Sequence, residues 1–356
     1  MGSIGGSLGE LGERRIYSQL LEPRYRAVPA FGDDCAAFGR DLVVTTDSCP
    51  TPLVAELGVT DPYYTGWLLA TINLSDLAAA GATPEGLVVN YTLPADTPVR
   101  EFERIVDGVD ACARWHQTRV LGGDISDGRE IHLAATAIGR CLPRRRFWAP
   151  HPVGGRLSRR GAEAGDRLLL VGSPGYLWGS ALLFRSWATL PEPAAAEVRR
   201  RAREPVAQLA AGQLLAGWGL ARAATDVSDG LYASVQSLCR ASRVGAAMSG
   251  EIELDDVLMR ICDDAKVSPF QLGQTWGDWS LLVAVRASDV DRAQSALRRI
   301  GVGVREVGRL TPPENGIVVE DGTDSPSPWE GIDQERFSAS SWHGGYVDEF
   351  IARMRG

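Results

Sequence analysis

Five clusters put aspartate beside glycine, serine or threonine, in or next to apolar segments: Gly32-Asp33-Asp34, Thr45-Thr46-Asp47, Asn73-Leu74-Ser75-Asp76, Gly122-Gly123-Asp124 and Asp226-Val227-Ser228-Asp229-Gly230. Aspartate is a poor strand and helix former, so a carboxylate at such positions asks for a compensating partner. A hard divalent cation is the natural one, because Mg²⁺ takes oxygen ligands and is commonly held by carboxylates together with substrate phosphates. Several clusters in one chain suit more than one Mg²⁺ around a polyphosphate. Each cluster also has a plainer reading. Asp33-Asp34 suits a turn after Gly32, Asp47 a strand-end cap and Asp124 a hairpin turn, while Asp226, Ser228 and Asp229 suit a helix N-cap and first-turn acid. Asp76 differs, since it falls inside an apparent helix over Ile72–Ala80, where a carboxylate flanked by Leu74, Leu77 and Ala78 is costly. The five together argue for chemistry more than any one does.

The rest of the inventory narrows that chemistry. The only lysine is Lys266, with no Gly-rich run before it, which excludes a phosphate-loop NTPase and a protein kinase and leaves Lys266 as a solvated helix-end charge. The four histidines (His116, His132, His151, His343) do not cluster, and the six cysteines form no C-x-x-C, so neither a His-based hydrolase nor a zinc or redox site is expected. Scattered thiols, no signal peptide and no apolar run of about 18 residues point to the cytoplasm and away from a membrane. With 37 basic against 45 acidic side chains and a net charge of −8, the overall field also repels nucleic acid.

The elements that must carry the carboxylates alternate along 356 residues, enough for two lobes. The pattern predicts a short amphipathic segment Leu11–Leu21, a strand Asp41–Asp47, and a helix from Asp61-Pro62 through Trp67, Ala70, Leu74 and Leu77. It continues with a strand Gly86–Leu93, a helix Val99–Trp115, a strand Arg119–Leu121 ending in Gly122-Gly123-Asp124, and a strand Glu130–Gly139. An arginine-rich stretch (Arg144, Arg145, Arg146, Arg156, Arg159, Arg160) then reads as a linker. The second half predicts strands at Arg167–Val171, Ala223–Asp226, Ala246–Ile252 and Ser280–Val285. Its helices fall at Leu177–Trp187, Pro193–Leu215, from Asp229, and Asp289–Ile300, with short strands to Val319. The expected division is an N-terminal ATP/Mg-binding and dimerisation domain 1–142, a linker 143–166, a C-terminal domain 167–340 and a tail 341–356, in the α+β class.

The order G-D-D, T-T-D, N-L-S-D-L-A-A-x-G-A, L-G-G-D, S-R-R-G-A-x-x-G-D and D-x-S-D-G-L resembles the thiamine-monophosphate kinases, in the superfamily of aminoimidazole ribonucleotide synthetase, over about Gly9 to Phe337. The resemblance implies an N-terminal lobe whose strands pair across a homodimer interface, with a C-terminal α+β lobe packed on it. ATP and several Mg²⁺ would lie in the cleft. It further implies that Asp34, Thr45, Thr46, Asp47, Asp76, Asp124, Asp226 and Asp229 form the metal set, that Asp34, Asp47, Asp76, Asp124 and Asp226 are catalytic, and that Gly123, Asp124, Arg159 and Ser228 contact the nucleotide. Arginine suits that role because guanidinium pairs bidentately with phosphate.

The departures fall on the acceptor side. Asp47 is followed by Ser48-Cys49-Pro50-Thr51-Pro52-Leu53-Val54, without the family's histidine. The segment Trp276-Gly277-Asp278-Trp279-Ser280 puts Gly277 and Ser280 where the family carries glutamates, while Trp329 keeps the aromatic of the terminal W-x-G-Y-D signature. A cationic thiazolium would lose a counter-charge there. The acceptor site is therefore expected around Val54, Gly277, Asp278, Trp279 and Trp329, with Trp276 and Trp279 equally able to be core. The expected activity is in-line transfer of the ATP γ-phosphoryl to a small molecule other than thiamine phosphate. The alternatives are a ligase- or dehydratase-like enzyme that activates an amide or carbonyl oxygen, and a non-catalytic nucleotide-binding paralogue.

Overall fold

The computed structural model describes residues 7–28, 31–142, 155–320, 322, 326–331 and 347–355. The first sheet contains β1 (Ala36–Phe38), β2 (Leu42–Cys49), β3 (Thr83–Leu93), β4 (Val120–Asp127) and β5 (His132–Arg140), in the order β1-β2-β5-β3-β4. All pairs are antiparallel except β3 and β4. The second sheet contains β6 (Arg167–Val171), β7 (Ala221–Asp226), β8 (Gly245–Ser249), β9 (Leu281–Val285), β10 (Val304–Thr311), β11 (Ile317–Glu320) and β12 (Ser327–Pro328), in the order β12-β11-β8-β10-β6-β9-β7. Its central strands read as unbroken apolar runs because both faces are covered. Leu168, Leu170, Leu282 and Ala284 face the helices of their own lobe, whereas Leu169, Val171, Leu281 and Val283 join the core of the N-terminal lobe.

The Tyr63–Ala79 helix connects the lobes. From Gly66 onward every residue except Leu68 is buried, because β2, β3 and β5, the Val99–Trp115 helix, and β7 with the Leu209–Gly217 helix surround it. Glycines permit that approach. A methyl group at Gly66 would land on the Ile105 carbonyl, one at Gly108 on the Tyr63 carbonyl, and one at Gly212 on the Ala78 carbonyl. The helix that carries Asp76 is thus clamped from both lobes.

Several elements differ from expectation. The helix expected over Pro193–Leu215 is two, Glu192–Arg203 and Leu209–Gly217, separated at Pro205, which lacks the N–H a helix needs. The Pro205 carbonyl instead accepts hydrogen bonds from Trp67 Nε1 (2.8 Å) and Thr71 Oγ1 (3.0 Å). β4 runs straight through Gly122-Gly123-Asp124, so Asp124 is not at a hairpin turn. Of the tail 341–356, Val347–Arg355 is a helix with Phe350 in the core, its ring centroid 4.0 Å from that of Trp178 and 4.5 Å from that of Trp276. The described part of the expected linker is docked, with Arg156, Arg159 and Arg160 paired to the Asp33-Asp34 loop. Arg144, Arg145, Arg146, His151, His343 and residues 332–340 lie outside the described residues. Lys266 is exposed at a helix end, and all six cysteines are free. No helix among the described residues is long and apolar enough to cross a membrane.

The helix crossing yields a direct test. Gly108→Ala should cost about 2 kcal/mol or more, read as a lower thermal midpoint, because backbone must move to admit one methyl group.

Candidate active site

A cavity of about 550 Å³ opens between the lobes, and three of the five aspartate clusters meet at one end of it. Asp34 comes from the bend after Gly32, whose φ of +85° suits glycine. Asp76 comes from the clamped helix and Asp226 from the end of β7. One carboxylate oxygen from each lies within 4.8 Å of the others, and among the described residues this is the group arranged to hold a metal ion. Asp47 and Asp229 line the same cavity.

Hydrogen bonds fix the three carboxylates. Thr45 Oγ1 donates to Asp76 (2.5 Å), Ser75 Oγ to Asp226 (2.9 Å) and Thr225 Oγ1 to Asp34 (3.1 Å). Asn73 Oδ1 accepts from the Asp47 amide at 3.1 Å. Arg159 spans the site, donating to Asp34 (2.5 Å), the Gly32 carbonyl (3.0 Å) and Thr225 (3.1 Å). Burial, then the charges of Asp226, Asp47 and Asp34, hold the Asp76 carboxyl well above the usual range. Burial and Asp34 raise Asp226 likewise. Burial works against the Arg159 charge, but the charges of Asp34, Asp226 and Asp76 outweigh it and hold the guanidinium protonated more firmly than usual. The three carboxylates are short of positive charge.

Of the remaining expected residues, Thr46, Ser228, Val54, Gly277 and Trp279 line the cavity. The Thr46 hydroxyl is engaged, donating to the Ala135 carbonyl at 3.0 Å. Asp226, Ser228 and Asp229 do not cap the following helix, Leu231–Ser242, which begins at Gly230 with no side-chain cap. Gly123 and Asp124 do not line the cavity within one chain, since β4 lies at the far edge of the first sheet, where Asp124 accepts a long bond from Asn90 (3.5 Å).

Two expected acceptor residues, Asp278 and Trp329, are used elsewhere, and Trp276 is core. Asp278 accepts hydrogen bonds from the backbone N–H of Gly175 (2.7 Å) and Leu177 (3.0 Å), holding the start of the Tyr176–Phe184 helix. Burial pushes its carboxyl up to about 7 against the pull of those donors. Trp329 packs on Tyr232 and Phe270, and Trp276 on Trp178 and Phe350. At Gly277 a side chain would run into Leu177, so the space beside this backbone is taken by an apolar neighbour.

Sequence reasoning missed other wall residues. Tyr64, Leu68 and Ile72 precede Asp76 on one stripe of its helix, at a four-residue spacing that was the available signal. His132 begins β5 two positions before Ala134 and four before Thr136, whose hydroxyl donates to Thr46 at 3.1 Å, so strand alternation was the available signal. Glu13 and Arg203 carried no local signal.

Comparison with known proteins agrees with this geometry. Residues 32–141 match the family described as AIR synthase related protein, N-terminal domain, and residues 163–321 its C-terminal domain, which defines a two-domain AIR synthase-like protein. The thiamine-monophosphate kinase of Synechococcus elongatus is 34% identical over 252 residues, covering 68% of this chain and 73% of that protein. The Salmonella typhimurium enzyme of the same name is 28% identical over 330 residues, covering 90% and 95%. The structure of AaThiL complexed with AMPPCP and TMP superposes with a TM-score of 0.75 at 23% identity, over 94% of this chain and 100% of that one. The chain belongs to the thiamine-monophosphate kinase family, and it is a kinase of that type.

Asp278→Ala separates a scaffold role from an acceptor role. Leaving two buried N–H groups unpaired should cost about 2 kcal/mol or more of stability, measured by denaturant unfolding, with the Kd for Mg·ATP unchanged.

Proposed function

We propose that the protein transfers the γ-phosphoryl group of ATP to an oxygen of a small-molecule acceptor other than thiamine monophosphate. The observation that carries this reading is one cavity that joins buried carboxylates and the Arg159 guanidinium to a stretch of apolar side chains. All-oxygen donors within 4.8 Å of one another, short of positive charge, fit Mg²⁺. Asp34, Asp76 and Asp226 would hold it, with Asp47, Asp229, Thr45 and Thr46 completing the set. Bound there, Mg²⁺ neutralises triphosphate charge and orients the transferring group.

The protein's own part is positioning. Arg159 spends three of its five N–H donors on Asp34, Gly32 and Thr225, which fixes the carboxylate and leaves two donors for a phosphate oxygen. Ser228 adds a hydroxyl to the same end. An acceptor oxygen that is already ionised, as on a phosphate, needs no base to take its proton. The Pro50–Val54 loop, Leu177 and Trp279 exclude water from the acceptor. Gly277 against Leu177 supports a changed acceptor, because no counter-charge for a thiazolium can stand there. A homodimer fits the exposed edge of β4, where Leu121 and Ile125 are uncovered. Asp124 and Gly123, on that strand, would act on the nucleotide only in the assembled pair.

Asp76→Asn and Asp226→Asn should each weaken Mg-dependent ATP binding at least about 100-fold by calorimetry, the loss expected when a buried ligand of a charged site is removed. Normal binding in both would overturn the metal assignment. Thiamine monophosphate should give no ADP release above the no-acceptor background, and brisk release would overturn the changed acceptor.

A further inference from the structure

The Glu192–Arg203 helix ends in a run of arginines, and all but one of these are neutralised. Arg199 pairs with Glu192 (2.5 Å), Arg200 with Glu197 (2.8 Å), and Arg201 with Glu197 (2.9 Å) and Asp255 (3.4 Å). Arg203 has no ion pair or side-chain hydrogen bond among the described residues, and its Nε is buried without a partner. Its guanidinium lies over the Tyr64 ring, 5.2 Å from the centroid, and it lines the cavity. The break at Pro205, anchored to Trp67 and Thr71, turns the end of this helix against the start of the clamped helix.

That position sets a distance. Tyr64, Leu68, Ile72 and Asp76 all line the cavity from one helix, and at 1.5 Å per residue Tyr64 is about 18 Å along the axis from Asp76. Arg203 therefore stands at the end remote from the carboxylates, with Leu68 and Ile72 between. A buried guanidinium Nε with no acceptor is costly unless a ligand supplies one.

We propose that Arg203 is a specificity residue that binds an oxyanion, carboxylate or phosphate, on the end of the acceptor remote from the accepting oxygen. The inference rests on the phosphotransferase reading above and deepens it. The acceptor is then an elongated molecule with an apolar middle and an anionic far end, and a molecule with a cationic ring is turned away by the same charge.

The test measures Kd by calorimetry for the parent, Arg203→Gln and Arg203→Glu, each with Mg²⁺ and a non-hydrolysable ATP analogue bound. Thiamine monophosphate should bind more tightly at each step, by about tenfold or more overall. 3-Phenylpropanoate and 2-phenylethylphosphonate should bind the parent at least about tenfold better than 3-phenylpropanamide, and lose that advantage in Arg203→Gln. The stronger of the two anions identifies the far group as carboxylate or phosphate. Equal binding of amide and anions, or affinities unchanged across the three proteins or undetectable in all of them, overturns the proposal. Failure of the parent to bind the nucleotide analogue would instead count against the phosphotransferase reading.

Discussion

Three carboxylates held within 5 Å of one another inside a protein are the constraint on which the rest of this structure depends. At an effective dielectric of about 20, a pair of ionised groups within 4.8 Å of each other repels by about 3 kcal/mol or more. Arg159 relieves part of that and is itself held by Asp34, Thr225 and the Gly32 carbonyl. The hydroxyls of Thr45, Ser75 and Thr225 each commit one bond to a carboxylate, which fixes direction without cancelling charge. Because Asp34 and Asp76 come from one lobe and Asp226 from the other, the site exists only while the lobes are packed together. The close approach of Gly212 to the Ala78 carbonyl belongs to that packing, while Gly66 and Gly108 hold the same helix against its neighbour inside the N-terminal lobe.

From this end the cavity changes character along a single helix. Asp76 stands among carboxylates, Ile72 and Leu68 offer apolar surface, and Tyr64 supports a guanidinium. Ser228 and Asp229 after β7, and Leu177, Gly277 and Trp279, line the same cavity. Beside Gly277 the space is filled by Leu177.

Much of the carboxylate end was legible in the sequence. Asp76 inside an apolar helix is a local contradiction that tertiary structure must resolve, and the motif order carried the family. Asp124 misled because two glycines before an aspartate read as a turn, whereas pairing with β3 keeps the chain extended through them. Asp278 and Trp329 misled for another reason. Their types suit a pocket, but the first is consumed by backbone N–H groups and the second by Tyr232 and Phe270, contacts set by distant segments. Arg203 was invisible in a run of basic residues until the ion pairs of its neighbours were known.

The proposed role of Asp34, Asp76 and Asp226 is to hold divalent cations around a triphosphate. Its most direct measurement is electron paramagnetic resonance of Mn²⁺, standing in for Mg²⁺, titrated into the protein with and without ATP. The account predicts loss of the free-ion signal through ATP-dependent binding that disappears in Asp34→Asn. A free-ion signal unaffected by the protein, or binding undiminished in that variant, would contradict it.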